Sequence, residues 1–309
     1  ISTGDELVDG PGDLSLGQIR DSNRHTLLAL VESTGAIGVD LGLIPDDEQQ
    51  IRRALLDGAA SCDAVITSGG VSMGDYDYVK AVLDEIGDMR WMQVAIKPAK
   101  PLAFGTIDGT PIFGLPGNPV SSMVSFELFA RPGIGTLMGV TDPRPAAVPG
   151  YVAAELPRRS DGKTHFARVH ARPDAEGRLA AEPSGGQGSH QLSAMAAANA
   201  LAILPDGPGL SVGDPVDLLL LCRRTASESG ERKLAASGQP SDVAAMAGDY
   251  DEADRDRSVE LGHVLVEERH PDRRQHGDDE GADRCRARHA YRGGEDGEES
   301  KPEDGKERQ

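Results

Sequence analysis

The stretch Asp63-Ala64-Val65-Ile66-Thr67-Ser68-Gly69-Gly70-Val71-Ser72-Met73-Gly74-Asp75-Tyr76-Asp77-Tyr78-Val79 decides the fold class. Its first five residues read as a compact buried strand that runs into a Gly/Ser-rich loop. A helix is expected next, over about 76–87, with Val79, Val82, Leu83 and Ile86 on one face. Outward from this unit the alternation of strand and helix repeats. Asp21-Ser22-Asn23 offers caps for a helix over 23–33, which Gly35 ends. An apolar run over 36–44 closes at Pro45, and Asp46-Asp47 opens a helix carrying Ile51, Ala54, Leu55 and Ala59. Residues 92–96 and 102–104 read as strands, and Asp108-Gly109 as a tight hairpin turn between 102–107 and 111–115. Asn118 is read as the cap of a fourth helix, with Pro119 in its first turn and Pro132 as its stop. Such alternation predicts an α/β fold, a mostly parallel sheet sandwiched by helices.

From about residue 144 to 222, Pro and Gly recur between short β-like runs over 151–156, 166–171, 201–204 and 216–221. That pattern predicts a small β domain. The expected organisation is an α/β domain over 1–143, a small C-terminal β domain over 144–222, and a tail over 223–309.

Charge separates the tail from the rest. The chain has 309 residues and a formal net charge of −19. Positions 223–309 hold 16 Lys+Arg and 23 Asp+Glu, leaving 16 and 28 in the first 222 residues. Hence −7 belongs to the tail and −12 to the globular part. The tail carries only Tyr250 and Tyr291 as aromatics and has no periodicity beyond an apolar island at Val264-Leu265-Val266. It is expected to be disordered, since it has little apolar surface to offset chain entropy. An acidic chain is poorly suited to nucleic acid or anionic lipid. No apolar run approaches the roughly 18 residues of a membrane span, and no basic-then-apolar signal pattern opens the chain. Three cysteines (Cys62, Cys222, Cys285) without C-x-x-C spacing argue against a disulfide framework or a zinc site. A cytoplasmic protein is expected. The opening Ile1-Ser2-Thr3-Gly4 reads as the end of a strand, so further chain is expected ahead of it.

Four segments carry groups suited to chemistry. Ser2-Thr3-Gly4-Asp5-Glu6-Leu7 ends the opening strand and offers a hydroxyl, a glycine and two carboxylates, fit for a metal or a polar ligand. A strand-to-helix turn with capping residues would look the same. In the Ser68–79 segment, Gly69, Gly70 and Gly74 leave backbone N–H groups free to approach phosphate at a helix N-terminus. It is neither a Walker A nor a G-x-G-x-x-G motif. Asp75 and Asp77 read plainly as charges favoured by the helix dipole, and Asp77 also as a group that holds a cation against phosphate. Lys97-Pro98-Ala99-Lys100-Pro101 is a stiff cationic segment fit for an oxyanion, or else a solvated turn that guards a sheet edge. Gly114-Leu115-Pro116-Gly117-Asn118-Pro119-Val120-Ser121 runs from a strand into a tight loop at a helix start. Strand ends converge in open α/β sheets, so these segments predict one polar site for a phosphorylated anion and a divalent cation. His25, His165, His170 and His190 fit no metal spacing and are read as surface or packing residues, and Trp91, Phe126 and Phe129 as core.

In this order the four segments resemble molybdopterin molybdenumtransferases, the MoeA family related to the gephyrin E-domain. Gly185-Gly186-Gln187-Gly188-Ser189-His190, with Ala198-Asn199-Ala200 and Leu204-Pro205, is similar to that family's C-terminal β-barrel domain. The resemblance covers residues 1 to about 222. It implies a transferase of molybdenum cofactor biosynthesis that takes adenylated molybdopterin and molybdate, uses Mg²⁺, inserts molybdenum and releases AMP. It further implies that Glu6, Asp46 (or its neighbour Asp47) and Asp77 are the acidic site residues, with Glu6 and Asp77 on the metal. Lys97 and Lys100 would take molybdate or phosphate oxygens. Thr3, Gly4, Asp5, Ser68, Gly69, Gly70 and Ser72 would line the substrate pocket, with Pro116, Gly117 and Asn118 opposite. Ser189, with Lys163 or Arg168, would approach from the β domain.

Full-length members of the family carry two further N-terminal domains, which build a homodimer, ahead of the stretch that this sequence resembles. Ala99 stands where Gly is usual. The two other readings are a molybdopterin adenylyltransferase, which the β domain and the Pro-Gly-Asn-Pro loop disfavour, and a non-catalytic binding or scaffold fragment. The tail resembles nothing in the family, and its Arg, Asp, Gly, His and Glu density is what GC-rich DNA gives out of frame. Reading the coding DNA across residue 222 tests this. A frameshift, or a junction with neighbouring sequence, is expected there, and an uninterrupted homologous frame through residue 309 would overturn it.

Overall fold

A computed structural model describes residues 1–71 and 77–221. Ser72 and the tail from residue 222 lie outside the described residues. In chain order the first half comprises β1 (Ser2–Thr3), the short pair β2 (Leu7–Val8) and β3 (Ile19–Arg20), α1 (Asn23–Ser33), β4 (Leu43–Ile44), α2 (Glu48–Ser61) and β5 (Val65–Ser68). It continues through α3 (Tyr78–Ile86), β6 (Asp88–Gln93), β7 (Ile96–Lys97), β8 (Pro101–Ile107), β9 (Thr110–Leu115), α4 (Pro119–Ser125) and α5 (Arg131–Leu137).

Six strands form one sheet in the order β4-β1-β5-β9-β8-β6. The β4-β1-β5-β9 part is parallel, while β8 and β6 add as an antiparallel edge. β8 and β9 are joined through Asp108 and Gly109, both at positive φ (49° and 86°), as a two-residue hairpin turn of this hand requires. Alternate strand residues feed two cores. Val65, Ile107 and Ile112 pack with Ile51 and Leu55 of α2 and Val79, Val82 and Leu83 of α3. On the other face Phe113 and Leu115 pack with Leu27 of α1, with Val120 and Val124 of α4, and with Phe126, Ala130 and Ile134 beyond it. Helices therefore cover both faces, as the alternation predicts.

Pro132 does not stop the fourth helix. A π turn over Phe126–Ala130 follows α4, and α5 continues from Arg131 with Pro132 in its first turn. The Arg131 N–H reaches back five residues to the Phe126 carbonyl. This widened ring gives room to a proline that lacks a donor and would clash with the preceding turn of a regular helix.

The second half builds β10 (Ala147–Val152), the short strand β11 (Leu156–Pro157), β12 (Thr164–Pro173), β13 (Leu179–Pro183), α6 (Leu192–Ala197), β14 (Ala200–Leu204), β15 (Gly209–Leu210), paired with β11, and β16 (Pro215–Leu220). Five of these strands close a barrel in the order β13-β10-β16-β14-β12, with β12 returning to β13. Its interior is filled by small residues, Ala181, Ala200 and Ala202, together with Val152, Val169 and Leu218. The outward-facing Phe166, Leu201 and Leu219 pack into the core under α1 and α4. Sequence reading left out β13 and α6, and it also missed β7. That two-residue strand leaves the α/β half and pairs in parallel with the start of β12, Lys97 opposite His165. No helix among the described residues is long and apolar enough to cross a membrane.

At the start of α1, Asp21 and Arg24 form a buried ion pair beside Ser2 of β1. Arg24 Nε donates to Asp21 Oδ2 at 2.9 Å, and the guanidinium also pairs with Asp9 and Asp40. Asp21 accepts in addition from Ser2 Oγ (3.1 Å) and the Arg24 N–H (3.2 Å). His25, and after it Arg24, holds the Asp9 carboxyl down to about 2. Removing one partner of a buried pair leaves the other charge uncompensated. Arg24→Met is expected to lower unfolding free energy by about 3 kcal/mol, read as a shift of the urea midpoint. An unchanged midpoint would contradict a structural role for the cluster.

Candidate functional site

The carboxyl ends of β1, β5 and β9 open onto a cavity of about 450 Å³. Each strand end supplies its own piece of wall. From β1 come Thr3, Gly4 and Glu6. Gly4 sits at φ +142°, and a Cβ there would lie 2.4 Å from Glu6 Oε2, so only glycine lets the Glu6 carboxylate fold back over the turn.

The start of α2 supplies Asp46. Its N–H donates to Asp5 Oδ1 at 3.1 Å, and the Asp5 N–H to Asp46 Oδ2 at 3.4 Å, which ties the first loop to this helix start. The neighbouring Asp47 is spent on capping α2, accepting from the Gln50 N–H at 2.8 Å. Of the two aspartates left open by the sequence, Asp46 is the one on the cavity wall.

β5 contributes Gly69, Gly70 and Val71, with Asp77, Tyr78 and Val79 across the loop. The Gly69 N–H is committed to the Leu115 carbonyl (3.1 Å), which locks the loop to β9. Neither the Gly70 nor the Gly117 N–H donates to a described residue. Gly70, at φ +68°, lies so close to α3 that a Cβ would meet Val79 at 2.3 Å. Asp77 caps α3 by accepting from the Lys80 N–H at 3.2 Å, so the helix-cap reading and the position on the cavity wall hold together.

β9 leads into Pro116, Gly117 and Asn118 on the opposite wall. Asn118 stands at the N-cap of α4 in an extended conformation, yet its side chain makes no capping hydrogen bond. Proline at the first helical position already removes one orphan donor.

Not every expected residue reaches the cavity. Lys97 and Lys100 are exposed and are not on its wall, although the next residue, Pro101, is. Ala99 between them is 3% exposed and sits at φ +80°, a conformation that explains a preference for Gly at this position. Ser189 approaches the α4 side, where its carbonyl accepts from the Val120 N–H at 3.2 Å. Arg168 is fully buried under the same loop and donates to the Gly186 and Gly188 carbonyls at 2.8 and 3.2 Å. Burial pulls its basicity below the ordinary arginine value. Lys163 pairs with Asp161 at 3.4 Å. A larger, mostly apolar cavity of about 660 Å³ runs along α1 between residues 35–41 and 134–138, at the amino ends of β1 and β5. It gathers none of the four motif segments.

Residues 1–136 match the family described as a probable molybdopterin binding domain, and residues 152–221 match the MoeA C-terminal region (domain IV). The chain belongs to the MoeA family. It is 37% identical over 219 residues to a molybdopterin molybdenumtransferase of Haemophilus influenzae, an alignment covering 71% of this chain and 54% of the relative. With the Bacillus subtilis molybdopterin molybdenumtransferase it is 34% identical over 232 residues, 74% of this chain and 53% of that one. A crystal structure of a molybdopterin biosynthesis MoeA protein from Pyrococcus horikosii superposes with a TM-score of 0.59 at 26% identity, over 72% of this chain and 54% of that chain. The chain spans about half the length of the curated relatives it matches. Within this MoeA-family chain, the cavity lies wholly in the part that matches the molybdopterin binding domain.

The glycine geometry predicts unequal tolerance along the wall. Gly70→Ala adds a Cβ at positive φ against Val79 and is expected to cost at least about 2 kcal/mol. Gly117→Ala meets only Gly69 Cα, at an ordinary 3.7 Å, and is expected to cost less than about 1 kcal/mol. Equal losses in thermal or urea unfolding would contradict the close approach of the β5 loop to α3.

Proposed function

We propose that the cavity at the ends of β1, β5 and β9 binds adenylated molybdopterin, and that the chain serves molybdenum insertion from molybdate with release of AMP. One observation carries this reading: three carboxylates from three separate segments, Glu6, Asp46 and Asp77, line the same cavity as four glycines, Gly4, Gly69, Gly70 and Gly117. Carboxylates facing a phosphorylated anion make sense only with a cation between them. Their oxygen donors suit Mg²⁺, and among the described residues no three or more His, Cys, Asp or Glu side chains form a metal-holding group by themselves. Mg²⁺ commonly keeps several waters and completes its shell with substrate phosphates, which one or two carboxylates suffice to hold. Glu6 and Asp77 would hold it, with Asp46 beside them. When bound, the ion supplies charge neutralisation at the phosphoanhydride.

The chain's own groups do the rest. The Gly70 and Gly117 N–H groups donate to phosphate oxygens, while Thr3 and Asn118 position the pterin and its phosphate between the walls that Pro116 helps to form. Asp5, Ser68 and Ser72 are assigned to the same substrate by the family resemblance alone. Lys97 and Lys100, next to the Pro101 wall, neutralise molybdate as it enters. Ser189 borders the site from the barrel side. The barrel and the Pro-Gly-Asn loop favour this reading over an adenylyltransferase. The same proposal takes the working protein to be a cytoplasmic homodimer.

Asp77→Asn keeps a good helix cap and removes the charge. In the presence of molybdate and Mg²⁺ it is expected to lower AMP release from adenylated molybdopterin by at least about 100-fold, with far-UV circular dichroism unchanged. Chelation with EDTA should have the same effect on the parent chain. A parent that binds the compound equally well with and without Mg²⁺, or an Asp77→Asn rate equal to the parent's, would overturn the assignment.

A further inference from the structure

We propose that Asn23 is a positioning residue for this site, holding the β5 and β9 loops at a fixed separation. Asn23 is the first residue of α1, and its amide nitrogen donates both to Ser68 Oγ at 2.8 Å and to the Gly117 carbonyl at 2.7 Å. Ser68 ends β5, and Gly117 lies on the cavity wall in the loop after the neighbouring strand β9. The Gly117 carbonyl can only accept, which fixes the amide nitrogen as the end of Asn23 that faces it. Main-chain bonding alone leaves the β9 loop loosely held, because Pro116 and Pro119 have no N–H and the Gly117 N–H donates to no described residue. The second tie between the two loops, Gly69 N–H to the Leu115 carbonyl, sits below the turn. Asn23 is the tie at the level of the wall itself.

The clamp is anchored from beneath. Asp21 and Arg24, which flank it two residues before and one residue after, form the buried pair that also binds Ser2 Oγ, at the start of the two-residue strand β1. The start of α1 is thereby fixed to β1, and Asn23 transmits that fixed point to the two neighbouring strand ends. All three strands that open onto the cavity are thus referred to one helix turn. Loss of the amide would leave the polar walls in place but let their separation drift, and errors of an ångström in such a site carry a large penalty in binding and rate.

The proposal rests on the ligand-site reading of the cavity, and Asn23→Asp tests the two separately. The change preserves shape and places a carboxylate at the helix start, where the dipole favours it. It also turns the one donor to the Gly117 carbonyl among the described residues into an acceptor. In the ligand-free chain, amide exchange at Gly70, Gly117 and Asn118 is expected to speed up about tenfold or more while exchange within α1 stays unchanged. By isothermal titration with adenylated molybdopterin and Mg²⁺, the dissociation constant is expected to rise at least tenfold with the melting temperature within a few degrees of the parent. Asn23→Ala, which removes the donor without adding charge, should change both in the same direction. Unchanged exchange in both loops would overturn the clamp whether or not the parent binds the compound. Faster exchange with unaltered affinity in a parent that does bind would overturn its role in positioning the site. A parent that binds nothing, with the exchange pattern as expected, would leave the clamp standing and remove the ligand-site reading instead.

Discussion

The cavity exists because of where the chain crosses at β5. This strand lies between β1 and β9, and both neighbours are parallel to it. Its own helix, α3, packs on one face of the sheet, while α1 and α4, which follow β1 and β9, pack on the other. The loops leaving the three strands must therefore diverge, and a crevice opens between them at their carboxyl ends, the usual ligand position in open α/β sheets. Everything polar in the site hangs on that divergence. Gly70 lets the β5 loop lie flat on α3, the Gly69 N–H holds it to β9, and the β9 loop turns away over Pro116 and Gly117.

An acidic chain faces a difficulty in building such a place, since carboxylates that converge on one cavity repel each other. Two devices spread the charge. Asp47 and Asp77 accept helix N-terminal N–H groups, where the dipole favours them, and Asp46 and Asp5 exchange backbone-to-carboxylate hydrogen bonds. At the start of α1, Arg24 gathers Asp9, Asp21 and Asp40 into one cluster, a single cation shared by three carboxylates. What faces the cavity is the negative charge of Glu6, Asp46 and Asp77, which we assign to a magnesium ion shared with substrate.

Most of the wall was legible in the sequence because its residues are local to strand ends. A buried strand followed by Gly69-Gly70, or Leu115 followed by Pro116-Gly117-Asn118, announces its own turn, and the family resemblance of the four segments agrees with the two domain matches. What escaped was long-range. Asn23 looked like one of three capping residues, and its bonds to partners 45 and 94 residues away leave no trace in local pattern. Ser22, read with it as a cap, makes no side-chain capping bond. Pro132 looked like a helix stop because periodicity does not anticipate a π turn. Ile96 looked like the end of a strand over 92–96 in the first domain, whereas Ile96 and Lys97 pair with β12 of the barrel. That pairing also fixes where the lysine segment runs, beside the cavity wall rather than in it.

The central claim is that the three strand ends form one cation-dependent phosphate site. A crystal of the chain grown with adenylated molybdopterin and Mn²⁺ in place of Mg²⁺ tests it most directly, because manganese reports its own position by anomalous scattering. The predicted result is an anomalous peak bound by carboxylate oxygen from Glu6 or Asp77 and by ligand phosphate, with the phosphate against Gly70 and Gly117. Ligand seated instead in the apolar cavity along α1, or manganese bound away from all three carboxylates, would contradict the account.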